Sequence, residues 1–203
     1  MRENKSYRLN SIRHYLSQVM PINDKNWELI APLWSSIEFN QGELILRPNE
    51  VCHQMFFLVE GMARCYFLDE SGREFNWSFH FNDSEAKSNN VFMLDYASFI
   101  SESKSRIYIE CLSDMVVFAI TKKDLYQLYN KSHFWSEMGR LISEQVYVLV
   151  HNRSLNQLAL DAKERYVQFV KNYPYLVERL SQNQIASFLG ITPQSLSRLK
   201  NSE

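Results

Sequence analysis

The spacing of apolar residues changes character along the chain. From residue 1 to about 36 it predicts helix, and Trp27, Ile30 and Trp34 would share one face of the segment NDKNWELIAPLW. From Ile37 to Thr121 it gives short runs rich in β-branched and aromatic residues, which predict strands. These runs are ELILR, QMFFLVEG, MARCYFLD, EFNWSFHF, RIYIECL and MVVFAI.

Turn signals separate the predicted strands. Gly42, Gly61 and the SGR at residues 71–73 stand between them at intervals suited to turns. The polar segment DSEAKSNN, residues 83–90, is predicted to be a mobile loop. Many short strands at this spacing favour an antiparallel β-roll, similar to a jelly roll.

A long helix is predicted after the strands, from about Ser132 to Leu160. It follows a shorter helix, TKKDLYQLY, for which Thr121 would be the N-cap and Asp124 its partner. Residues of the long helix that recur every three or four positions predict a seam between two copies of the chain: Met138, Leu141, Gln145, Val148, Asn152 and Leu155.

The polar Asn152 favours that interpretation, because a polar residue in a seam commonly fixes the register of paired helices. A second row of apolar residues lies beside the seam: Trp135, Ile142, Val146 and Leu149. One row could pack on the roll and the other on a second copy. A helix buried entirely within its own domain is the alternative.

A further helix is predicted to begin at Asp161, which forms a capping-box pattern with Glu164. The break there is the best domain boundary. We therefore expect an α+β chain with a sensor domain over residues 1–131, a dimerisation helix over 132–160 and a third domain over 161–203.

Residues 182–200, QNQIASFLGITPQSLSRLK, match the requirements of a helix-turn-helix. Counted from Gln182, Ala186 is fifth, where two crossing helices leave little room for a side chain. Gly190 is ninth, where the turn needs a left-handed backbone. Thr192 would cap the second helix and Pro193 would occupy its first position. A helical hairpin in an enzyme or a bundle is the less specific alternative.

A second helix that enters the major groove would present its outward side chains to DNA. Arg pairs with guanine and Gln with adenine, whereas Ser and Lys usually hold phosphate. The candidate DNA-binding residues are Thr192, Gln194, Ser195, Ser197, Arg198 and Lys200. Solvated polar surface is the alternative for each of them.

Charge gives weak support to a nucleic-acid partner. The net charge is −1, yet from Asp161 onward there are six Lys or Arg against four Asp or Glu. No apolar signal core or membrane span is visible, so we expect a cytoplasmic protein. Cys52, Cys65 and Cys111 are widely spaced, which fits reduced structural thiols.

These features together resemble the Crp/Fnr family of bacterial transcription regulators over nearly the whole chain. The motif QNQIASFLGITPQSLSRLK is most similar to members from Bacteroidetes-type bacteria. The resemblance implies a cyclic-nucleotide-binding-like β-roll as sensor, a winged-helix domain that reads double-stranded DNA, and a homodimer. It further implies base contacts by Gln194 and Arg198, phosphate contact by Thr192 or Ser195, and RNA polymerase as a partner.

The family's cyclic-nucleotide signature is altered in this chain. In the family, Phe-Gly-Glu precedes an Arg-Ser/Thr-Ala by about ten residues, and these groups hold ribose and phosphate. Here Leu94 replaces the Gly, Asp95 replaces the Glu, and Ser105-Arg106 reverses the phosphate pair. A one-residue slip in a strand turns a side chain to the other face, so we expect that cAMP does not bind tightly.

Other cofactors and chemistries are not expected. Three scattered Cys cannot supply the usual iron–sulfur ligands, and Cys52-His53, the candidate haem ligands, would point to opposite faces of a strand. No phosphate loop, metal-binding His pair or nucleophile elbow is present, so neither catalysis nor a metal site is expected.

An apolar or aromatic small molecule of unknown identity is the remaining candidate effector of the roll. The family's pocket would be lined by aromatic and basic residues: Phe92, Tyr96, Phe99, Arg106, Tyr108, Tyr147 and His151. The same aromatics could instead fill a closed core. The leading hypothesis is a dimeric DNA-binding regulator. The alternative is an interaction module of the same fold without DNA binding.

Overall fold

The N-terminal half is built from two antiparallel sheets of four strands each. The computed structural model describes residues 2–86 and 89–201, with side chains from residue 8 onward. The strands are β1 (Ser35–Phe39), β2 (Leu44–Leu46), β3 (Gln54–Glu60), β4 (Met62–Leu68), β5 (Glu74–Phe81), β6 (Phe92–Met93), β7 (Tyr108–Cys111) and β8 (Met115–Thr121). One sheet has the order β1-β8-β3-β6 and the other β2-β7-β4-β5. The predicted α+β fold with a β-roll is confirmed.

Each of the six predicted runs contains a strand, and two further strands, β1 and β6, were not predicted. β1 was assigned to the border of the N-terminal helix, and β6 has only two residues. In the predicted loop, Ala86 donates its backbone N–H to Asp83 at 3.2 Å, and residues 87 and 88 lie outside the described residues.

The predicted N-terminal helix is interrupted, so its extent to residue 36 is wrong. Helix α1 (Arg2–Ser17) and helix α2 (Asp24–Ile30) are separated by a loop containing Pro21, and a single 3-10 turn, Ala31–Leu33, follows. Proline disfavours helix in the residue before it and leaves no N–H to continue one, which explains the break.

Three further helices belong to this part of the chain, one between β6 and β7 and two after β8. They are α3 (Tyr96–Ser101), α4 (Lys122–Lys131) and α5 (His133–Ala159). The predicted cap of α4 is confirmed, because the side chain of Thr121 accepts the backbone N–H of Asp124 at 3.0 Å. The face of α5 at Trp135 and Met138 packs into the same core as the inner faces of the sheets.

Four helices complete the described chain: α6 (Ala162–Asn172), α7 (Pro174–Arg179), α8 (Gln182–Leu189) and α9 (Pro193–Lys200). The predicted capping box of Asp161 and Glu164 is confirmed, whereas α7 escaped prediction. Between residues 161 and 201 the described chain forms these helices without a β-hairpin, so the expected wing does not lie in this segment.

The C-terminal helices share a core with the roll. Phe79 and Phe81 on the outer face of β5 pack in one cluster with Phe169, Ile185 and Leu196. Among the described residues, no helix combines the length and the apolar character that a bilayer span requires.

Candidate nucleic-acid interface and sensor pocket

The turn between α8 and α9 has the backbone that the sequence motif requires. Gly190 adopts φ +69°, and the N–H of Ile191 returns to the carbonyl of Ala186 at 3.0 Å. A Cβ at position 190 would meet only Gln157 Oε1 at 3.6 Å, so the left-handed φ rather than lack of space favours glycine. Ala186 is fully buried where the helices cross.

The start of α9 is fixed by its cap. Thr192 Oγ1 accepts the backbone N–H of Ser195 at 3.2 Å, and Pro193 occupies the first turn. Leu196 is fully buried and anchors the helix to the shared core. The opposite side of α9 therefore faces solvent.

The six candidate DNA-binding residues fall into two groups. Thr192, Gln194, Ser197 and Arg198 are exposed, while Ser195 and Lys200 are half-buried. The hydroxyl of Ser195 lies 3.0 Å from Thr192 Oγ1, so both hydroxyls already take part in the cap. The arrangement could place Gln194 and Arg198 against bases, and these roles remain predictions.

Four of the six predicted seam residues form an exposed row on α5. Gln145, Val148, Asn152 and Leu155 are exposed, and Tyr147, Leu149 and Leu158 add further apolar surface beside them. Leu141 is half-buried. The prediction is wrong for Met138. This side chain is 1% exposed inside the core of its own domain, so it cannot contact a second copy.

The region that matches the family's cyclic-nucleotide signature holds a carboxylate that is hydrogen-bonded within the protein. Asp95 caps α3 by accepting the N–H of Ser98 at 3.2 Å, and its second oxygen accepts the hydroxyl of Ser105 at 2.8 Å. Ser105 is buried, whereas its neighbour Arg106 is exposed.

Among the described residues, the buried side chains of the roll interior near Asp95 carry no positive charge. His80 is buried, and its Nε2 lies 2.9 Å from Ser78 Oγ and 3.4 Å from Cys65 Sγ. Burial lowers the pKa of His80 to about 4, so the ring is neutral at pH 7. Burial also raises the pKa of the Cys65 thiol to about 12, which keeps it protonated.

The seven predicted effector residues do not form one pocket. Phe92, Tyr96 and Phe99 line a cavity of about 270 Å³ between the roll, α4 and the first turns of α5. The prediction is wrong for the other four, Arg106, Tyr108, Tyr147 and His151, which do not line this cavity. Arg106 is exposed, Tyr108 stacks on Tyr66 at 4.9 Å, and Tyr147 stacks on His151 along the exposed part of α5.

Strand alternation explains the error at Tyr108. In β7 the side chain of Ile109 faces the core, so that of Tyr108 faces the outside of the second sheet. There Arg64 lies over Tyr66 at 4.1 Å and forms ion pairs with Glu74 and Glu110.

The sequence pattern did not predict a group of contacts that connects the roll with α5 and α8. Arg153 on α5 lies 4.9 Å over the ring of Trp77 and 4.2 Å over that of Phe188, and it donates to the carbonyl of Asn76 at 3.3 Å. On α8, Ser187 accepts the N–H of Asn76 at 2.9 Å and donates to the carbonyl of Glu74 at 2.7 Å. The partners are distant in sequence, and no local pattern marks them.

Comparisons with known proteins agree with this geometry. Residues 36–132 match the family model of the cyclic nucleotide-binding domain. No curated protein sequence matches the chain.

Several solved structures share the fold over most of the chain. FixK2 from Bradyrhizobium japonicum is 18% identical, with 83% of each chain covered and a TM-score of 0.65. The global regulator CLP from Xanthomonas campestris, described as responsive to c-di-GMP, is 13% identical, with 89% of this chain and 91% of that chain covered and a TM-score of 0.67. A Crp/Fnr family regulator from Eubacterium rectale is 16% identical, with 89% and 83% covered and a TM-score of 0.62.

At identities this low, the three structures show a shared fold over 83–89% of this chain and nothing more. Residues 36–132 are similar to the cyclic nucleotide-binding domain, and the chain shares its fold with solved transcription regulators, one of them described as a member of the Crp/Fnr family.

Proposed function

We propose that the chain is a homodimeric DNA-binding transcription regulator whose β-roll responds to a small molecule other than cAMP. One observation carries this proposal: α8, the left-handed Gly190 and α9 form a helix-turn-helix that leaves Gln194 and Arg198 exposed. A helix held in this way fits the major groove, where Arg and Gln can each form two hydrogen bonds with a base.

The exposed apolar row on α5 supports the homodimer. Val148 is 54% exposed and Leu155 is 49% exposed, two turns apart on one side of the helix. Pairing with the same row of a second copy would bury both, and Asn152 between them would fix the register. A dimer would place two copies of α9 on one side of the assembly for two half-sites of an operator.

The electrostatics of the roll argue against cAMP. A cyclic phosphate at this position would lie beside the carboxylate of Asp95, and Arg106 is exposed rather than buried next to Ser105. An anion with no buried cation to pair with is costly to bind. We expect calorimetric titration with cAMP to show no affinity in the micromolar range, and binding at that affinity would contradict this prediction.

The alternative function is an interaction module of the same fold that does not bind DNA. The small number of basic residues on α9, namely Arg198 and Lys200, keeps it in consideration, because phosphate contacts supply much of the affinity for DNA. RNA polymerase is a further proposed partner only if the chain is a regulator.

A binding experiment separates the two functions. Fluorescence anisotropy should show the dimer binding a duplex from upstream of its own gene, with an affinity that falls steeply as salt rises. Arg198→Ala should weaken specific binding, whereas Lys163→Ala, an exposed residue on α6, serves as the matched control. No binding at low salt, with or without cell extract, would favour the interaction module.

A further inference from the structure

The cavity of about 270 Å³ lies outside the β-roll, against the outer side of the sheet that contains β3 and β6. Its walls come from that sheet, from α3 and α4, from the first turns of α5, and from Leu16, Ile30 and Trp34 of the N-terminal segment. The cavity opens to solvent, yet its walls include the buried core residues Trp135 and Met138, and apolar pockets of this kind are the usual places for small ligands.

The walls of the cavity are mainly aromatic and aliphatic. The aromatic members include Trp34, Phe92, Tyr96, Phe99, Tyr129 and Trp135. A cavity lined in this way is a poor site for water, because too few wall atoms offer hydrogen bonds. It is a good site for a flat apolar molecule, which gains contact with rings on several sides.

Polar groups occur at a few places in these walls. The hydroxyl of Tyr96 donates to Ser143 Oγ at 2.9 Å, and Ser143 donates to the carbonyl of Gly139. Burial raises the pKa of Tyr129 to about 12, so its hydroxyl remains protonated and can donate. The buried Nε1–H of Trp34 has no partner among the described residues, although buried donors are normally paired.

The cavity offers no unbalanced charge. Arg140 is its charged wall residue, and its guanidinium is paired with the carboxylates of both Glu137 and Glu144. An anionic occupant would meet those carboxylates, and a cationic one would meet the guanidinium. A neutral occupant avoids both costs.

Gly139 contributes to the shape of the cavity. A Cβ at this position would lie 2.6 Å from the hydroxyl oxygen of Tyr129, so any larger residue would displace that ring. Tyr96 and Ile100 are 43% and 44% exposed, which places them at the mouth, where a ligand could enter from solvent.

We propose that this cavity binds a small, uncharged aromatic effector that carries one hydrogen-bonding group, such as an indole or a phenol. The proposal rests on the regulator function above and names the chemical class of its effector, which would act on the β-roll from its outer side through β3 and β6. The occupant would contact α3, α4 and the N-terminal turns of α5 together. Because α5 continues without a break to the exposed seam and ends just before α6, its position would carry the signal to the DNA-binding helices.

Calorimetry of the full chain with indole tests the site directly, and benzoate serves as the charged control probe. Indole should bind saturably, one per chain, and benzoate should not. Ile142→Phe, which fills the cavity from α5, should weaken indole binding by at least about tenfold. Val167→Phe on α6, an exposed position away from the cavity, should leave the affinity within about twofold.

A second variant protects the test from a folding defect. Ile100→Trp adds bulk at the exposed mouth, where the core is not disturbed, and should also weaken binding. Absence of saturable binding by indole or 4-ethylphenol up to their solubility would overturn the proposal, as would unchanged affinity in both filled variants.

Anisotropy on the upstream duplex, with and without indole, separates the two proposals. Saturable indole binding by a chain that never binds DNA would keep the site and reject the regulator function. DNA binding by a chain that does not bind indole would reject the site alone.

Discussion

The exposed row on α5 permits a quantitative prediction about the dimer. Val148 and Leu155 expose about half of their side chains in the single chain. Complete burial of such a side chain contributes about 1.5–3 kcal/mol, so covering the exposed half contributes about 1 kcal/mol for each. Burying two residues from each of two copies contributes about 4 kcal/mol to the free energy of dimer formation. This corresponds to roughly a thousandfold change in the dimer dissociation constant.

The double variant Val148→Ala, Leu155→Ala should therefore dissociate at concentrations up to about a thousandfold higher than the unchanged protein. The double variant to Glu should be monomeric throughout, because four carboxylates would be brought together in a poorly hydrated interface. Sedimentation velocity over a wide concentration series measures both dissociation constants.

The control for this experiment uses apolar residues of similar exposure away from α5. Leu29 on α2 and Val167 on α6 are 45% and 46% exposed. Their double change to Glu should leave the association unchanged if the α5 row is the interface. A stable dimer of the Val148→Glu, Leu155→Glu variant would show that the two copies meet elsewhere, and the seam prediction would then be wrong.

Two further predictions concern base recognition and pH. Arg198→Ala should reduce the binding free energy on the specific site by about 1–3 kcal/mol and relax the base preference at one position. Lys200→Ala should instead weaken binding to specific and random DNA alike, and it should reduce the slope of log affinity against log salt concentration by about one. Selection of sites from random DNA distinguishes them, and an unchanged site for Arg198→Ala would leave that residue as a phosphate contact. Folding lowers the pKa of His80 from 6.5 to about 4, so between pH 6.5 and pH 4 the unfolded chain binds a proton at this ring that the folded chain does not. The free energy of unfolding should therefore fall as the pH drops from about 6.5 toward 4. Urea unfolding at several pH values should show a flatter profile for His80→Gln, and an equally steep profile in that variant would assign the acid sensitivity to other groups.

The helix-turn-helix could be predicted because its constraints are local. The turn needs a left-handed residue, an N-cap and a good first helical residue. The structure shows Gly190, Thr192 and Pro193 in these three roles. The capping boxes and the main strands belong to the same class, since their signals lie within a few neighbouring residues.

The failures have in common that they depend on tertiary pairing. Alternation in β7 separates Tyr108 from Ile109, but the sequence does not show which of the two faces the core. The heptad row on α5 was continuous, yet the roll covers Met138 and leaves Val148 exposed. The position of Arg153 between Trp77 and Phe188 depends on three elements meeting, and no spacing within one element predicts that.

The contact of Ser187 with β5 has a consequence for any movement or removal of the C-terminal helices. β5 is the outer strand of its sheet, and Ser187 supplies partners for the N–H of Asn76 and the carbonyl of Glu74 on its open side. Helix α8 therefore acts as a cover for an edge strand, a site at which sheets of separate molecules otherwise join. A chain cut after α5 would expose that edge together with Phe79 and Phe81, so the isolated sensor would be prone to aggregate through β5.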